Sequence, residues 1–537
     1  MVTTICATAV VDLAHRIGPV PPRLFGSMVE HLGRAVYTGI YEPRHPRANS
    51  RGFRTDVLDA VGELGVSVVR YPGGNFVSSY RWEDGVGPVA DRPRRIDPAW
   101  HCTEPNTFGL DEFMAWTRRA GVEPMLAVNL GTRGVQAAMD LLEYCNIPGG
   151  TANSDARRAN GAQDPYRVKL WCLGNEMDGA WQVGALPARE YGRLAARTAR
   201  AMRMVDPGVE LVVCGSSGAG MPTFGAWERT VLEEAYDAVD YLSAHAYFRP
   251  EGERGDQSDD RASFLASGVA MDRQIEAVVA ECDRAQALRG SSKQLKVCFD
   301  EWNVWYHGRA ESRPPQGDDW PVAPPLLEDH YCLADGAVVG GLLISLLRHA
   351  DRVRVACLAQ LVNVIAPIMT APGGGCWRQA SFHPFAATAR GAVGDVVAVP
   401  VECANVPTPQ FGDVPVLDAV ATWDDAARQA CVFVVNRSLD RPVRLSLRLG
   451  MPGTASVVEA VRLGRIDQSS DDQPGDDRDR DDQGRIDQPG DDHVWAALDA
   501  EGAAGVGLAP LDVQLDGGVA TAELSPASWA MLRFALG

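Results

Sequence analysis

No two cysteines of this 537-residue chain lie closer than sixteen positions apart, so the paired spacing of a zinc site or a CxxC redox centre is missing. The twelve thiols fall at 6, 102, 145, 172, 214, 282, 298, 332, 357, 376, 403 and 431, several inside apolar runs. They read as buried free thiols of a reducing compartment rather than a disulfide framework. Basic charge is also short. Lys and Arg number 51 against 70 Asp and Glu, a formal net charge of -19, which leaves no electrostatic footprint for nucleic acid or an anionic membrane. A neutral or polar small substrate fits better. Long apolar runs are missing as well. The longest helical one, "VVGGLLISLL" at 338–347, is half of the roughly twenty residues a bilayer needs, and it reads as a buried helix. The N-terminal "MVTTICATAVVDLAHRIGPVPP" has no basic region ahead of its apolar residues and no clear small-residue cleavage site, which makes it a poor secretory signal, so the expectation is a cytoplasmic protein. Neither "YPGGN" at 71–75 nor "TAPGGGCW" at 370–377 has the glycine spacing of a phosphate-cradling loop.

What the chain does have is regular alternation. From about residue 24 to 370, short strand-like runs alternate with amphipathic helical stretches, the pattern of parallel βα units. The strand candidates are "RLFGSMV", "SVVRYPG", "PMLAVNLG", "KLWCLGNE", "LVVCGSS", "YLSAHAYF", "KVCFDEWN" and "RVACLAQLVNVIAP". Eight units predict an α/β fold closed as a (β/α)8 TIM barrel. The helix "FRTDVLDAVGELG" places Phe53, Val57, Leu58 and Val61 on one face and ends at Gly65; "AREYGRLAARTARAMRMVDPG" stops at Pro207-Gly208; Met271, Ile275, Val278 and Val279 share a face of a third.

Beyond about residue 385 the texture becomes Val-rich and alternating, as in "ARQACVFVVNRSLDRPVRLSLRLG", which predicts an antiparallel, jelly-roll-like β-sandwich. The N-terminal "TTICATAVVDLAHRIG" alternates similarly, so the expected division is a barrel over 20–385 and a sandwich from 1–19 plus 386–537. Within the sandwich, residues 464–492 repeat "GRIDQ" and "QPGDD" and carry eleven Asp, four Arg and almost nothing apolar. Such composition predicts a disordered insertion, and its spacing is not that of an EF-hand calcium loop.

Active sites of such barrels gather at the C-terminal ends of the strands, so polar residues closing apolar runs are the candidates. These are Glu30, Arg70, Asn75, Asn129, Asn175, Glu176, His245, Tyr247, Glu301, Trp302, Gln360 and Asn363. Two opposed carboxylates, in "LGNEMDG" and "VCFDEWNVW", are what glycoside hydrolysis needs: one to protonate the leaving oxygen, one to attack or to activate water. Singly, each has a plainer reading. A strand-end glutamate can serve only a loop salt bridge, His245 can be a satisfied core histidine, Tyr247 a packing aromatic and Arg70 a structural counter-ion. No cofactor or metal is expected, since His245 has no second histidine or carboxylate at ligand spacing in sequence.

The phrases "RYPGGNFVSSYRWEDGVGP", "CLGNEMDG", "SAHAYF", "FDEWNVWY" and "AQLVNVIAPIMT", in this order, resemble glycoside hydrolase family 51, the α-L-arabinofuranosidases, a family of the barrel glycosidases with acids on strands four and seven. The resemblance runs from "FGSMVEHLGRAVYTGIYEP" into the late barrel and implies the barrel-plus-sandwich fold. It implies a retaining, exo-acting enzyme that releases terminal non-reducing α-L-arabinofuranosyl residues by double displacement. Glu176 would be the acid/base and Glu301 the nucleophile. Glu30, Asn75, Asn175, Tyr247 and Gln360 would contact substrate or nucleophile, and Arg70, His245 and Trp302 would support the carboxylates. Retention asks for carboxyls about 5–5.5 Å apart, inversion for about 6.5–9.5 Å. The substrate implied is an arabinose-containing oligosaccharide or polysaccharide, and a homo-oligomer is expected, with no nucleic acid or membrane partner. Rival readings are another retaining specificity on the same site, a β-xylosidase or endoglucanase, and a non-catalytic carbohydrate-binding protein.

Overall fold

The strand-forming runs of the first two-thirds are short and apolar on both faces, as strands covered on both sides must be. In the computed structural model, which describes residues 3–250, 260–307, 313–450, 455–466 and 492–537, they close into one barrel. In barrel order the strands are Arg23–Met28, Val68–Tyr71, Glu123–Ala127, Leu170–Leu173, Glu210–Val213, Tyr241–Phe248, Lys296–Val304 and Val353–Leu358. Each pairs in parallel with the next, and the eighth with the first. All eight come from the predicted runs. The last stops well short of its apolar stretch: pairing ends at Leu358, and residues 360–367 cross the barrel mouth as a buried loop, with Leu361 N bonded to Met28 O at 2.9 Å.

The barrel interior is filled in layers. At its N-terminal end Arg23 of strand one forks onto Glu123 of strand three, at 2.6 and 2.7 Å, and onto Glu210 of strand five, at 2.7 Å. Above them Val68, Met125, Leu170, Val212, Cys298 and Val355 form an apolar plug. The plug separates this ion cluster from the other rim, where the chain leaves the strands and a second set of polar side chains can meet.

Helices cover the outside. Thr55–Leu64 buries Val57, Leu58 and Val61 and ends at Gly65, whose φ of 79° is the left-handed geometry of a helix stop; Phe53 is buried but precedes the helix. Ala188–Val205 ends before Pro207, and Ser267–Arg289 buries Met271, Ile275 and Val278. Helix Leu333–Arg348, which contains the longest apolar run, is buried along its length up to Leu347 because it lies between the barrel and a second β-layer. No helix among the described residues is long and apolar enough to cross a membrane.

That layer is a seven-stranded sheet, in order Asp12–Pro19, Asp395–Ala398, Leu417–Asp424, Gln429–Asn436, Ser528–Leu536, Ala455–Arg465 and Val506–Pro510. A five-stranded sheet packs on its outer face: Val401–Cys403, Ile5–Val10, Val443–Arg448, Val519–Leu524 and Val513–Asp516. Alternation explains why "CVFVV" reads as one apolar run. Val432 and Val434 face the sandwich core, while Cys431, Phe433 and Val435 face the barrel's helices. The N-terminal strand joins the outer sheet as expected, but in parallel with Val443–Arg448, so the sandwich is not antiparallel throughout. The predicted boundary at 385 falls inside helix Phe382–Gly391, whose Phe385 packs edge-on against Phe25 of the first barrel strand. Of the predicted insertion 464–492, Gly464 and Arg465 belong to a strand paired with Gly507 and Val506, and residues 467–491 lie outside the described residues. All twelve cysteines are free.

The helix and the inner sheet meet where the helix lacks side chains, at Gly336 against Leu463 and at Gly340 against Trp529. A β-carbon on Gly340 would lie 2.1 Å from Cδ1 of Trp529. Gly340→Ala is expected to cost roughly 1–3 kcal/mol by overpacking, lowering the calorimetric Tm by a few degrees. In the Trp529→Ala background the same change should cost much less. A Gly340→Ala variant melting with the wild type would contradict this packing.

Candidate active site

Strand two carries Arg70 one residue before its end, and burial of this guanidinium, 1% exposed, obliges the neighbouring strands to supply its partners. Its Nη1 donates to Oε1 of Glu301 at 2.8 Å, its Nη2 donates to Oδ1 of Asn175 at 2.7 Å, and its Nε lies 3.1 Å from Oδ2 of Asp300. Asp300 and Glu301 are adjacent on strand seven and in a regular strand would point to opposite faces. A bulge brings both inward: Ser243 pairs with Cys298 but His245 with Glu301, so strand seven carries one extra residue there.

Glu176 arrives by a sharp turn. After strand four, Gly174 has φ of 96° and Glu176 itself φ of 42°, a left-handed conformation that costs a glutamate about 1–3 kcal/mol. The turn aims the carboxyl back over the barrel mouth, where Oε1 meets Nδ1 of His245 at 2.9 Å and Oε2 accepts from the Trp181 indole at 2.8 Å. Glu301 is held by Arg70 on Oε1 and by the Tyr247 hydroxyl on Oε2 at 2.7 Å. One carboxylate oxygen of Glu176, one of Glu301 and a ring nitrogen of His245 all lie within 4.8 Å of one another.

The surroundings of the charges differ. Burial pushes the Glu176 carboxyl above its usual range and the charge of Glu301 adds to this, against the opposing hydrogen bonds from His245 and Trp181. Burial alone would lower His245, but Glu301 and Asp300 outweigh it and raise the imidazole well above its usual value. Asp300, which burial would raise, is held below the usual carboxylate range by Arg70 and His245.

Glu30 forms a second wall. Its Oε1 accepts from Phe76 N and the Trp100 indole, both at 2.9 Å, and its Oε2 accepts from Nε2 of Gln360 at 3.2 Å, while Gln360 Oε1 accepts from Glu30 N at 3.0 Å. Burial, with the charges of Glu301 and Asp97, pushes its carboxyl up to about 8. The glycines of "YPGGN" exist for this side chain: a β-carbon on Gly73 would sit 2.3 Å from Glu30 Cβ, and one on Gly74 2.9 Å from its Oε2.

Of the residues expected from sequence, Glu30, Arg70, Asn75, Asn175, Glu176, His245, Tyr247, Glu301 and Gln360 come together, with Asn75 Oδ1 taking a bond from Asn175 Nδ2 at 3.4 Å. Trp302 does not. It faces the outer layer, stacked on Phe385 at 6.4 Å, because the strand resumes its alternation after the bulge. Asn129 and Asn363 are also elsewhere, tying rim loops through Tyr80 O and Thr132 and through Arg34 O and Thr370 respectively. The pocket's aromatic walls are instead Trp100, Trp181 and Trp305, all on loops. Trp181 and Trp305 had a sequence signal, the one following Glu176 by five residues in a turn and the other following Glu301 by four in "VCFDEWNVW". Sequence spacing offered His245 no co-ligand, yet the fold sets two carboxylates beside it. Those carboxylates already accept from Arg70, Tyr247, Trp181 and His245, so the cluster is met by N–H and O–H donors rather than arranged as free metal ligands.

Two family models match the chain, an α-L-arabinofuranosidase 1 domain over residues 60–263 and an α-L-arabinofuranosidase C-terminal domain over 300–478. A Streptomyces lividans protein named an intracellular exo-α-(1→5)-L-arabinofuranosidase is 55% identical over 85% of this chain and 68% of its own length. A Bifidobacterium longum protein named an exo-α-(1→6)-L-arabinofuranosidase is 54% identical over 85% of this chain and 88% of its own. The solved structure of a family 51 α-L-arabinofuranosidase from B. longum superposes with a TM-score of 0.90 at 46% identity, covering 99% of this chain and all of that one. With agreement of this degree in sequence and in fold, the chain belongs to glycoside hydrolase family 51, the α-L-arabinofuranosidases.

Proposed function

We propose that the enzyme is exo-acting and retaining, and removes terminal non-reducing α-L-arabinofuranosyl residues from arabinose-containing oligosaccharides or polysaccharides. The observation that carries this is the pair Glu176 and Glu301, with oxygens within 4.8 Å and unlike partners. Such closeness supports the short carboxyl spacing of a retaining site over the wider spacing that holds a water in an inverting one.

Glu301, fixed by Arg70 and Tyr247, attacks the anomeric carbon as nucleophile. The bond to the leaving-group oxygen breaks while that oxygen takes the proton of Glu176. The resulting ester carries no charge, so the repulsion that kept Glu176 protonated disappears. Glu176 then takes a proton from water, whose oxygen attacks the same carbon and releases Glu301. Net configuration is retained. Glu30, Asn75, Asn175 and Gln360 supply hydrogen bonds to the sugar hydroxyls, and the tryptophan faces pack on the ring and aglycone.

Catalysis is assigned to the barrel from residue 20 to the end of helix Phe382–Gly391, with the sandwich as support. Relatives named for (1→5) and for (1→6) linkages are about equally similar, which supports the shared arabinofuranosyl end rather than one linkage. Relatives named intracellular, together with twelve free cysteines, support a cytoplasmic site of action on short imported oligosaccharides. A homo-oligomer is proposed as well, to be read from sedimentation velocity.

Turnover of an aryl α-L-arabinofuranoside with little turnover of the β-D-xylopyranoside, and an α-configured first product by NMR, are the expected outcomes; the reverse preference makes the enzyme a β-xylosidase. Glu301→Gly should lose activity by roughly 10³-fold or more, with added azide yielding the β-arabinofuranosyl azide. Unimpaired cleavage by that variant would remove Glu301 from the role. Glu176→Ala should spare substrates with a good leaving group by roughly 10²-fold relative to oligosaccharides, and equal losses on both would argue against an acid. Because Glu176 must hold its proton and its carboxyl is raised, kcat/KM should fall only as pH climbs through a value above the ordinary glutamate range. In Glu176→Ala that basic limb should vanish for an activated aryl substrate.

A further inference from the structure

Asp300 has no part in the mechanism above, does not line the pocket and is 1% exposed, yet it faces into the barrel in line with Cys298, and the bulge sets Glu301 beside it. Its two oxygens divide between two cations. Oδ2 lies 3.1 Å from Nε of Arg70, and Oδ1 faces Nε2 of His245 at 3.4 Å. Neither Oδ1 nor that Nε2 is hydrogen-bonded elsewhere among the described residues. The other ring nitrogen of His245, Nδ1, is 2.9 Å from Oε1 of Glu176 and 3.5 Å from Oε2 of Glu301. Asp300, His245 and Glu176 thus form a line of three groups from the barrel interior to the reacting oxygen, parallel to the contact of Arg70 with Glu301.

We propose that Asp300 is a positioning residue for the acid/base: paired with Nε2, it keeps His245 doubly protonated, so that Nδ1 always donates to Glu176 and never takes its proton. Charge counting gives the reason. In the free enzyme Arg70 and the imidazolium balance Asp300 and Glu301, and Glu176 stays neutral as an acid. Once Glu301 is esterified, two cations face Asp300 alone, and the excess positive charge favours ionised Glu176, the base of the second step. With Asp300 uncharged the excess would exist from the start, and a proton would leave His245 or Glu176 too early. The other ionisable groups around His245 are Asp178, tied to Ser217 N at 3.1 Å, and Tyr247, bonded to Glu301; Cys172 approaches Asp300 at 3.8 Å. Burial raises the Cys172 thiol and the Tyr247 hydroxyl, so both stay neutral and do not alter the count.

The inference rests on Glu176 as acid/base, so it is tested by one measurement that does not need turnover and one that does. In the full-length enzyme labelled with ¹³C-histidine, the His245 resonance, assigned through His245→Gln, should not titrate between about pH 6 and 8, although an ordinary histidine does. Titration near the ordinary value would overturn the proposal whatever Asp300→Asn does. In Asp300→Asn, the basic limb of kcat/KM should move down by about one pH unit, a tenfold loss above it, with activity at the acid plateau changed far less. The same substitution in His245→Gln should move the limb little, because the effect passes through the ring. A uniform loss at every pH with an unmoved limb would make Asp300 merely structural. If Glu176 fails as the acid in its own leaving-group test while His245 stays protonated, the mechanistic reading falls and the Asp300–His245 pairing survives.

Discussion

One buried guanidinium organises the site. Arg70 cannot be hydrated where it sits, and an isolated cation in that position would be several kcal/mol too costly to hold. Its requirement for partners is met by Asn175 from the end of strand four and by Asp300 and Glu301 from strand seven. The converse holds too. Two adjacent ionised carboxylates would repel each other at the barrel mouth without Arg70, and taking it away would leave a buried pair uncompensated, a loss of about 3–5 kcal/mol by analogy with broken buried pairs. The geometry of the site is in this sense a by-product of electrostatic satisfaction, because Glu301 lies where its counter-ion lies.

Rigidity under that cluster comes from closure at the opposite end and from the sides. The Arg23 fork onto Glu123 and Glu210 and the apolar plug above it leave no freedom in the barrel interior. Helix Leu333–Arg348, shared with the inner sheet of the sandwich, braces strand seven from outside. The sandwich therefore does not act at a distance. Its inner sheet is the far wall of the packing layer that holds the strand carrying Glu301, and its apolar alternation serves two cores at once.

Much of the fold was legible because its signals are local. Strand length, apolar runs covered on both faces and helix stops such as Gly65 depend on neighbours in sequence, and these placed all eight barrel strands. The same reasoning extended strand eight too far, since burial under a crossing loop leaves the same apolar signature as burial in a sheet. It also placed the sandwich boundary inside a helix that the barrel claims through Phe385. In the site, Glu176 and Glu301 stood out as acids closing apolar runs, and Arg70, His245 and Tyr247 followed by the same logic. Trp302 was misassigned by it, because a strand-end residue faces the mouth only on one parity.

The sequence by itself determined the architecture, the family and the two carboxylates, through periodicities and motifs contained within a few tens of residues. The tertiary structure alone decided what those carboxylates are to each other. The extra residue in strand seven reverses the parity that alternation dictates and brings Glu301 inside beside Asp300. Glycines 73 and 74 are set by contact with Glu30, more than forty positions away. A loop without any strand signal delivers Trp100. Each of these depends on distances across the barrel mouth, and such distances are fixed by ring closure and packing rather than by any neighbour in the chain.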